Sequence, residues 1–161
     1  MKIIAIVNQK GGVAKTTTTF NLATCLAAAN KNVLMVDLDP QASLTISAGI
    51  APESYGSENV CQLFQRRTKT ADYAITVDST AAFTCDRLYI VPSDIDLAAT
   101  EMDIFSRTSR ERLLKKALKQ VEPMFDYCLI DCPPNLGMLT INALTAAQEV
   151  IVPTKPEYLS Y

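Results

Sequence analysis

The stretch QKGGVAKTT, residues 9–17, decides how this chain folds. It joins a short β-branched run, KIIAIVN (residues 2–8), to an Ala-, Leu- and Thr-rich run over residues 15 to about 29. The first run is typical of a strand that is buried on both faces, and the second predicts a helix. A glycine pair at such a junction lets backbone N–H groups approach an anion, which the helix N-terminus also attracts. The stretch therefore predicts a phosphate-binding loop.

This loop departs from the general phosphate-loop pattern G-x-x-x-x-G-K-[ST]. Gln9 and Ala14 occupy its outer glycine positions, and a second lysine, Lys10, opens the loop. Lys15 and Thr16 keep the positions from which side chains reach the β- and γ-phosphates and Mg²⁺. The alternative is a plain strand-to-helix turn with a solvated Lys15. The predicted nucleotide-binding residues are Lys10, Gly11, Gly12, Val13, Ala14, Lys15, Thr16 and Thr17.

Apolar runs alternate with helical patterns along the rest of the chain. Further buried strands are predicted at residues 33–38, 88–91, 127–132 and 150–152. Further helices are predicted at residues 58–67, 107–121 and 136–148. This alternation predicts an α/β fold of the P-loop NTPase kind, in which a parallel β-sheet lies between two layers of helices. We expect residues 1–161 to form one domain.

Composition excludes several classes of protein and of site. The chain has no histidine, which excludes Ser-His-Asp and Cys-His catalysis and histidine-ligated zinc. Its 15 Lys and Arg against 17 Asp and Glu exclude a broadly polybasic nucleic-acid binder. The 5 cysteines lack CxxC spacing, so we expect small buried hydrophobes rather than a disulfide framework. No apolar run has the length of a signal peptide core or a membrane span, so we expect a cytoplasmic protein.

Three aspartates lie at the carboxyl ends of predicted strands, namely Asp37, Asp39 and Asp131. In a sheet of parallel strands, ligands bind beyond these ends. Asp131 follows the apolar residues 128–130, so we do not expect it to be an ordinary solvent-exposed charge. Asp39 precedes Pro40, and a turn-forming role is the alternative for that residue.

Three segments of the chain resemble, in order, motifs of the ParA/MinD family of ATPases. KGGVAKTTT (residues 10–18) is similar to the family's deviant Walker A motif, K-G-G-x-x-K-[ST]-T. VDLDPQ (residues 36–41) resembles its second acidic motif, and LIDCPP (residues 129–134) resembles its Walker B motif. The likeness to the ParA branch, the chromosome and plasmid partition ATPases, extends to NALTAAQEVIVPT (residues 142–154). Ala14 stands where the family usually has glycine.

The resemblance implies an ATPase that binds ATP with Mg²⁺ and releases ADP. The implied catalytic residues are Lys10, Lys15 and Asp39. Lys10 would cross a homodimer interface to touch the phosphates of the partner's ATP, and Asp39 would position or activate the attacking water. The implied metal site consists of Thr16, which would ligate Mg²⁺, with Asp37 and Asp131 acting mostly through water.

The resemblance also implies partners. We expect slow turnover that a ParB-like centromere-binding protein stimulates, and ATP-driven dimerisation with non-specific DNA association at the nucleoid. No membrane partner is expected. The basic side chains of residues 107–119 either form a solvated helix face or add phosphate contacts to DNA.

Chains of the family continue past the position of Tyr161, so we expect this chain to lack the family's C-terminal strands and helices, which carry the principal DNA-binding surface.

Two alternatives to a partition ATPase stay open. A MinD-like positioning ATPase is one alternative, but it would need a C-terminal amphipathic helix, and VDLDPQ favours the partition branch. The other alternative is a non-catalytic assembly protein that nucleotide binding controls.

Overall fold

A computed structural model describes residues 1–51, 59–64, 75–76 and 87–156 of the chain. The strands are β1 Lys2–Ile6, β2 Val33–Asp37, β3 Ile75–Thr76, β4 Leu88–Val91, β5 Tyr127–Asp131 and β6 Glu149–Ile151. The α-helices are α1 Lys15–Ala28, α2 Ser43–Ser47, α3 Cys61–Phe64, α4 Leu97–Ile104, α5 Leu113–Leu118 and α6 Met138–Ala146. A 3-10 turn, Arg110–Arg112, leads into α5.

The strands form one sheet in the order β3-β4-β2-β5-β1-β6. All strands except β3 pair in parallel, which confirms the predicted sheet. The two-residue β3 pairs antiparallel with β4 at one edge and was not predicted. In register, Ile6 lies beside Asp131, and Asp131 lies beside Asp37. The carboxyl ends of β1, β5 and β2 are therefore neighbours, and the loops that carry the predicted site begin there.

Helices cover both faces of the sheet. On one face, Ile4 and Ile6 pack in an apolar cluster with residues of α1 and α2. On the other face, Ile3 and Ala5 pack in a second cluster with residues of α3, α4, α5 and α6. The predicted three-layer α/β/α arrangement is confirmed. Burial on both faces explains why the strands consist of continuous apolar runs.

The helix predicted over residues 107–121 is shorter than expected. Ser109 has a left-handed backbone with φ 54°. This conformation does not fit a right-handed α-helix, so the regular helix is interrupted at Ser109. The α-helical part is confined to Leu113–Leu118. Its predicted apolar side chains, Leu113, Leu114, Ala117 and Leu118, are buried. The periodic pattern therefore identified the buried face correctly and the length of the helix wrongly.

Two other helices also differ from their predicted bounds. The helix predicted over residues 136–148 begins at Met138 and ends at Ala146. The helix predicted over residues 58–67 is seen at Cys61–Phe64; Asn59 and Val60 form a turn before it, and residues 58 and 65–67 lie outside the described ranges. The predicted end of α1 is confirmed, because Asn30 takes a left-handed conformation with φ 62° just past the helix.

The expectation of buried cysteines is confirmed in part, and Cys85 lies outside the described residues. Cys61, Cys128 and Cys132 are buried free thiols, as predicted. Cys25 is an exposed free thiol on α1, so the expectation of burial was wrong for it. Its position faces solvent because the buried residues of α1 are Lys15, Thr19, Ala23 and Ala27. Within the described residues, no helix combines the length and apolar character that crossing a membrane requires.

Candidate nucleotide-binding site

The loop between β1 and α1 has the backbone of a tight turn. Gly12 and Ala14 both have left-handed conformations, with φ 69° and φ 65°. Glycine adopts this region freely, whereas alanine does so at a cost of about 1 kcal/mol. Around Gly11 and Gly12 no heavy atom lies within 4 Å of the position that a Cβ would take. The glycine pair therefore leaves open space above the loop.

The N-terminus of α1 faces the same open space. Its first turn receives no hydrogen bond from a capping side chain, and Val13 anchors the loop in the core with 3% exposure. The Lys15 side chain folds back over the loop, where its Nζ donates to the Lys10 carbonyl at 3.3 Å. Backbone N–H groups, the helix dipole and an ammonium thus converge on one region, which suits an anion.

Thr16 and Asp131 form the contact that joins this loop to β5. The Thr16 hydroxyl donates to Asp131 Oδ2 at 2.7 Å, and the Thr19 hydroxyl donates to Asp131 Oδ1 at 3.3 Å. Burial raises the pKa of Asp131 to about 6, although both threonine bonds and the nearby Lys15 charge act in the opposite direction. The structure therefore brings together three residues that were predicted to share one site, namely Lys15, Thr16 and Asp131.

This arrangement fits the ligand preference of Mg²⁺. The described residues contain no group of three or more Cys, Asp or Glu side chains that could hold a metal by itself. Mg²⁺ usually keeps several waters and binds one or two protein oxygens together with substrate phosphates. A hydroxyl that donates to Asp131 still has a lone pair to offer a cation. Thr16, with Asp131 behind it, is thus a suitable partner for a phosphate-bound Mg²⁺.

Asp37 is fully buried, and both of its carboxylate oxygens are occupied. Oδ2 accepts from the Thr45 amide at 2.9 Å and from the Thr45 hydroxyl at 2.8 Å, and Oδ1 accepts from the Asp39 amide at 3.1 Å. Burial raises the pKa of Asp37 to about 7, and the negative charge of Asp131 adds to the increase, while the three hydrogen bonds oppose it. The direct contacts of Asp37 are with the protein. Its predicted part in the Mg²⁺ shell stays a prediction.

Asp39 is half-buried in the turn that follows β2. Its Oδ1 accepts from the Gln41 amide at 3.0 Å, and its carbonyl accepts from the Ala42 amide at 2.9 Å. These are the contacts of a turn-forming aspartate. Asp39 lies two residues after Asp37, which pairs in register with Asp131, and the negative charge of Asp39 adds to the raised pKa of Asp131. The predicted catalytic role of Asp39 is compatible with this turn and stays a prediction.

Lys10, at the start of the loop, is half-buried. It lines a cavity of about 450 Å³ together with Asn8, Pro133, Asn135, Leu136 and Thr140. The Lys10 amide donates to Asn8 Oδ1 at 2.8 Å, which fixes the start of the loop. The cavity therefore lies between the phosphate-binding loop and the loop after β5. The predicted role of Lys10 across a homodimer interface stays a prediction.

Sequence reasoning missed three polar residues that hold these loops. Thr19 and Thr45 contact Asp131 and Asp37, as described above. Glu101 of α4 accepts the Leu139 amide at 3.2 Å, at the start of α6. A Cβ on Gly137 would lie against the Glu101 carboxylate and the Asn135 side chain, so both side chains would have to shift for a larger residue. Thr19, three residues after Thr16, is the only one of the three that helical spacing could have indicated.

Comparisons with known proteins are consistent with this site. A family model described as an AAA domain matches residues 1–161. The sporulation initiation inhibitor protein Soj of Bacillus subtilis (strain 168) is 46% identical over 157 residues, which are 98% of this chain and 59% of that protein. The chromosome partitioning protein ParA of Caulobacter vibrioides is 38% identical over 166 residues, covering 99% of this chain and 58% of that protein.

A solved structure shares the fold over the whole chain. It is described as cobyrinic acid a,c-diamide synthase from Mycobacterium smegmatis with bound ATP analog and magnesium. The TM-score is 0.90 at 39% identity, and the match covers 100% of this chain and 63% of that chain. This chain therefore spans less than two thirds of the length of each of these three proteins.

Proposed function

Because the chain belongs to the ParA/MinD-type family of P-loop ATPases, we propose that it is the nucleotide-binding part of a ParA-type partition ATPase. It would bind ATP with Mg²⁺, hydrolyse the ATP slowly and release ADP. The observation that carries the proposal is the open loop of residues 9–17 held against Asp131 by the Thr16 hydroxyl at 2.7 Å. The ATP analog and magnesium bound to the Mycobacterium smegmatis protein support the choice of ligands.

Binding would rest on the phosphate-binding loop. The amides of residues 11–17 would surround the β- and γ-phosphates, and the Lys15 ammonium would leave the Lys10 carbonyl to pair with them. Mg²⁺ would neutralise phosphate charge and polarise the γ-phosphoryl group. Thr16 would hold it directly, while Asp131, and Asp37 more remotely, would act through water. Lys15 is 8% exposed, so its side chain would lose little contact with water when it pairs with a phosphate.

Hydrolysis would depend on Asp39. In the proposed step, the oxygen of a water forms a bond to the γ-phosphorus while the bond from that phosphorus to the β,γ-bridging oxygen breaks. The products are ADP and inorganic phosphate, and the water proton passes to phosphate or to Asp39. Asp39 would orient the water, since its carboxylate is fixed by the Gln41 amide at 3.0 Å. Catalysis of this kind is mostly positioning and charge stabilisation.

Lys10 would act on the second nucleotide of a homodimer. Lys10 lines the cavity that borders the loop after β5, and this position supports a contact beyond its own loop. A cation supplied across an interface stabilises charge on the transferred group, as an arginine finger does. ATP would then hold the dimer together, and loss of the γ-phosphate would loosen it. We further propose a ParB-like partner, non-specific DNA association and a place at the nucleoid in the cytoplasm.

The decisive experiment measures ATP turnover by the complete natural polypeptide. We expect slow phosphate release that needs Mg²⁺ and rises when double-stranded DNA and a ParB-like partner are added together. Sedimentation in ATP and in ADP reports the dimer in the same samples. Tight ATP binding without stimulated turnover would support the non-catalytic assembly protein instead. Absence of any ATP binding would contradict the proposal altogether.

A further inference from the structure

The Thr45 hydroxyl joins three parts of the chain at one buried point. Thr45 is 0% exposed and lies in the short helix α2. Its Oγ1 donates to Asp37 Oδ2 at 2.8 Å and accepts from the Ser93 amide at 2.9 Å. Its own amide donates to the same Asp37 oxygen at 2.9 Å. Thr45 thus links α2 to the ends of β2 and β4.

Asp37 connects the hydrogen bonds of Thr45 to the backbone of Asp39. The oxygen that Thr45 leaves available, Asp37 Oδ1, accepts the Asp39 amide at 3.1 Å. Between them, the Leu38 amide donates to the Asp131 carbonyl at 2.9 Å. The backbone of residues 37–39 is therefore held from two sides. Rotation of the Asp37 carboxylate would release the Asp39 side of this arrangement.

We propose that Thr45 is a positioning residue for ATP hydrolysis, which acts by orienting Asp37 and through it the backbone that carries Asp39. The inference rests on the proposed function and adds a residue to the same site. Threonine suits the position because one hydroxyl satisfies a buried acceptor and a buried donor together. Valine has the same shape but can do neither. Serine can do both and lacks only the methyl group.

The test compares Thr45→Val with Thr45→Ser in the complete natural polypeptide. Thr45→Val is expected to lower kcat for ATP about 10-fold or more, because a displaced catalytic group loses rate steeply. KM and the ATP dissociation constant should change less than about 2-fold, because Thr45 hydrogen-bonds to Asp37 and Ser93 and the proposed phosphate contacts come from residues 10–17. Thr45→Ser should recover kcat to within about 3-fold of the parent.

A matched control removes a hydroxyl elsewhere. Thr24 lies on α1, and its hydroxyl donates to the Phe20 carbonyl at 2.9 Å within the same helix. Thr24→Val makes the same chemical change away from the site and should leave kcat at the parent value. Amide exchange followed by NMR gives a readout without turnover. The Asp39 and Ser93 amides should exchange about 10-fold faster in Thr45→Val and return to the parent rate in Thr45→Ser.

The outcomes separate this inference from the proposed function. If the parent hydrolyses ATP and Thr45→Val does so equally well, the positioning role is wrong and the proposed function stands. If kcat and ATP affinity fall together and serine does not restore them, Thr45 is merely structural. If the parent binds ATP but never hydrolyses it, the proposed function and the inference both fail.

Discussion

The loops that follow β1 and β2 lie at the same edge of the sheet, but they differ in the exposure and hydrogen bonding of their polar groups. In the phosphate-binding loop, Gly11 and Gly12 are exposed, and the first turn of α1 has no side-chain cap. In the acidic loop, residues 37–45, both oxygens of Asp37 already accept protein donors. An exposed loop before an uncapped helix N-terminus suits an incoming anion, and satisfied buried acceptors suit a loop that stays in place. Under the proposed function, the phosphate-binding loop would bind the nucleotide and the acidic loop would position the groups that act on it.

The largest effect should follow from removing the cation of the phosphate-binding loop. Lys15→Ala is expected to weaken ATP binding roughly 100- to 1,000-fold, because a charge-assisted contact to phosphate is lost at a largely buried position. Isothermal titration with ATP and Mg²⁺ measures the change. Lys31→Ala, at an exposed lysine beyond α1, is the control and should bind ATP like the parent. An affinity within about 3-fold of the parent for Lys15→Ala would remove the basis of the comparison.

The phosphate-binding half of the site could be predicted from the sequence because its signal is local. The spacing of Lys10, the glycine pair, Lys15 and Thr16 lies within one stretch between a strand and a helix. Asp131 could be predicted as well, because a carboxylate after apolar residues of a parallel strand lies at the ligand-binding end. Register then brings Asp131 beside Asp37, as the order of the strands requires.

The acidic half could not be predicted to the same extent, because its contacts depend on the tertiary fold. Thr45 is distant in sequence from Ser93, and only the packing of α2 against the ends of β2 and β4 brings their polar atoms together. Similarly, the left-handed backbone of Ser109 interrupts a helix whose apolar period is regular. Periodicity reports which face is buried, but it does not report where a single residue leaves the helical conformation.

The second largest effect concerns the acidic loop and depends on pH. Burial raises the pKa of Asp37 from 3.8 to about 7, so the folded state binds this proton more tightly than the unfolded state. The stability linked to the proton is complete below the unfolded pKa and is lost as pH rises through the folded pKa. We expect the stability of the parent relative to Asp37→Asn to fall by about 2 kcal/mol between about pH 5 and about pH 8.

Urea unfolding of the nucleotide-free protein at several pH values measures this difference. Asp103→Asn, at an exposed aspartate of α4, is the matched control and should change with pH as the parent does. A parent whose stability relative to Asp37→Asn rises over the same pH range would show that the three hydrogen bonds outweigh burial. The acidic loop would then hold a permanent charge rather than a proton.

The smallest effect compares two alanines that share a backbone conformation. Ala14 in the phosphate-binding loop and Ala42 in the acidic loop are both left-handed, with φ 65° and φ 54°. Ala14 is exposed, whereas Ala42 is 7% exposed. Glycine removes the backbone strain at both positions, but at Ala42 it also removes a buried methyl worth about 0.8 kcal/mol. Ala14→Gly should therefore stabilise the protein by about 0.5 kcal/mol, and Ala42→Gly should give no gain or a loss. Urea unfolding of the two variants measures both changes in the free energy of unfolding. An equal gain in stability for Ala42→Gly would mean that the acidic loop is packed no more tightly than the phosphate-binding loop.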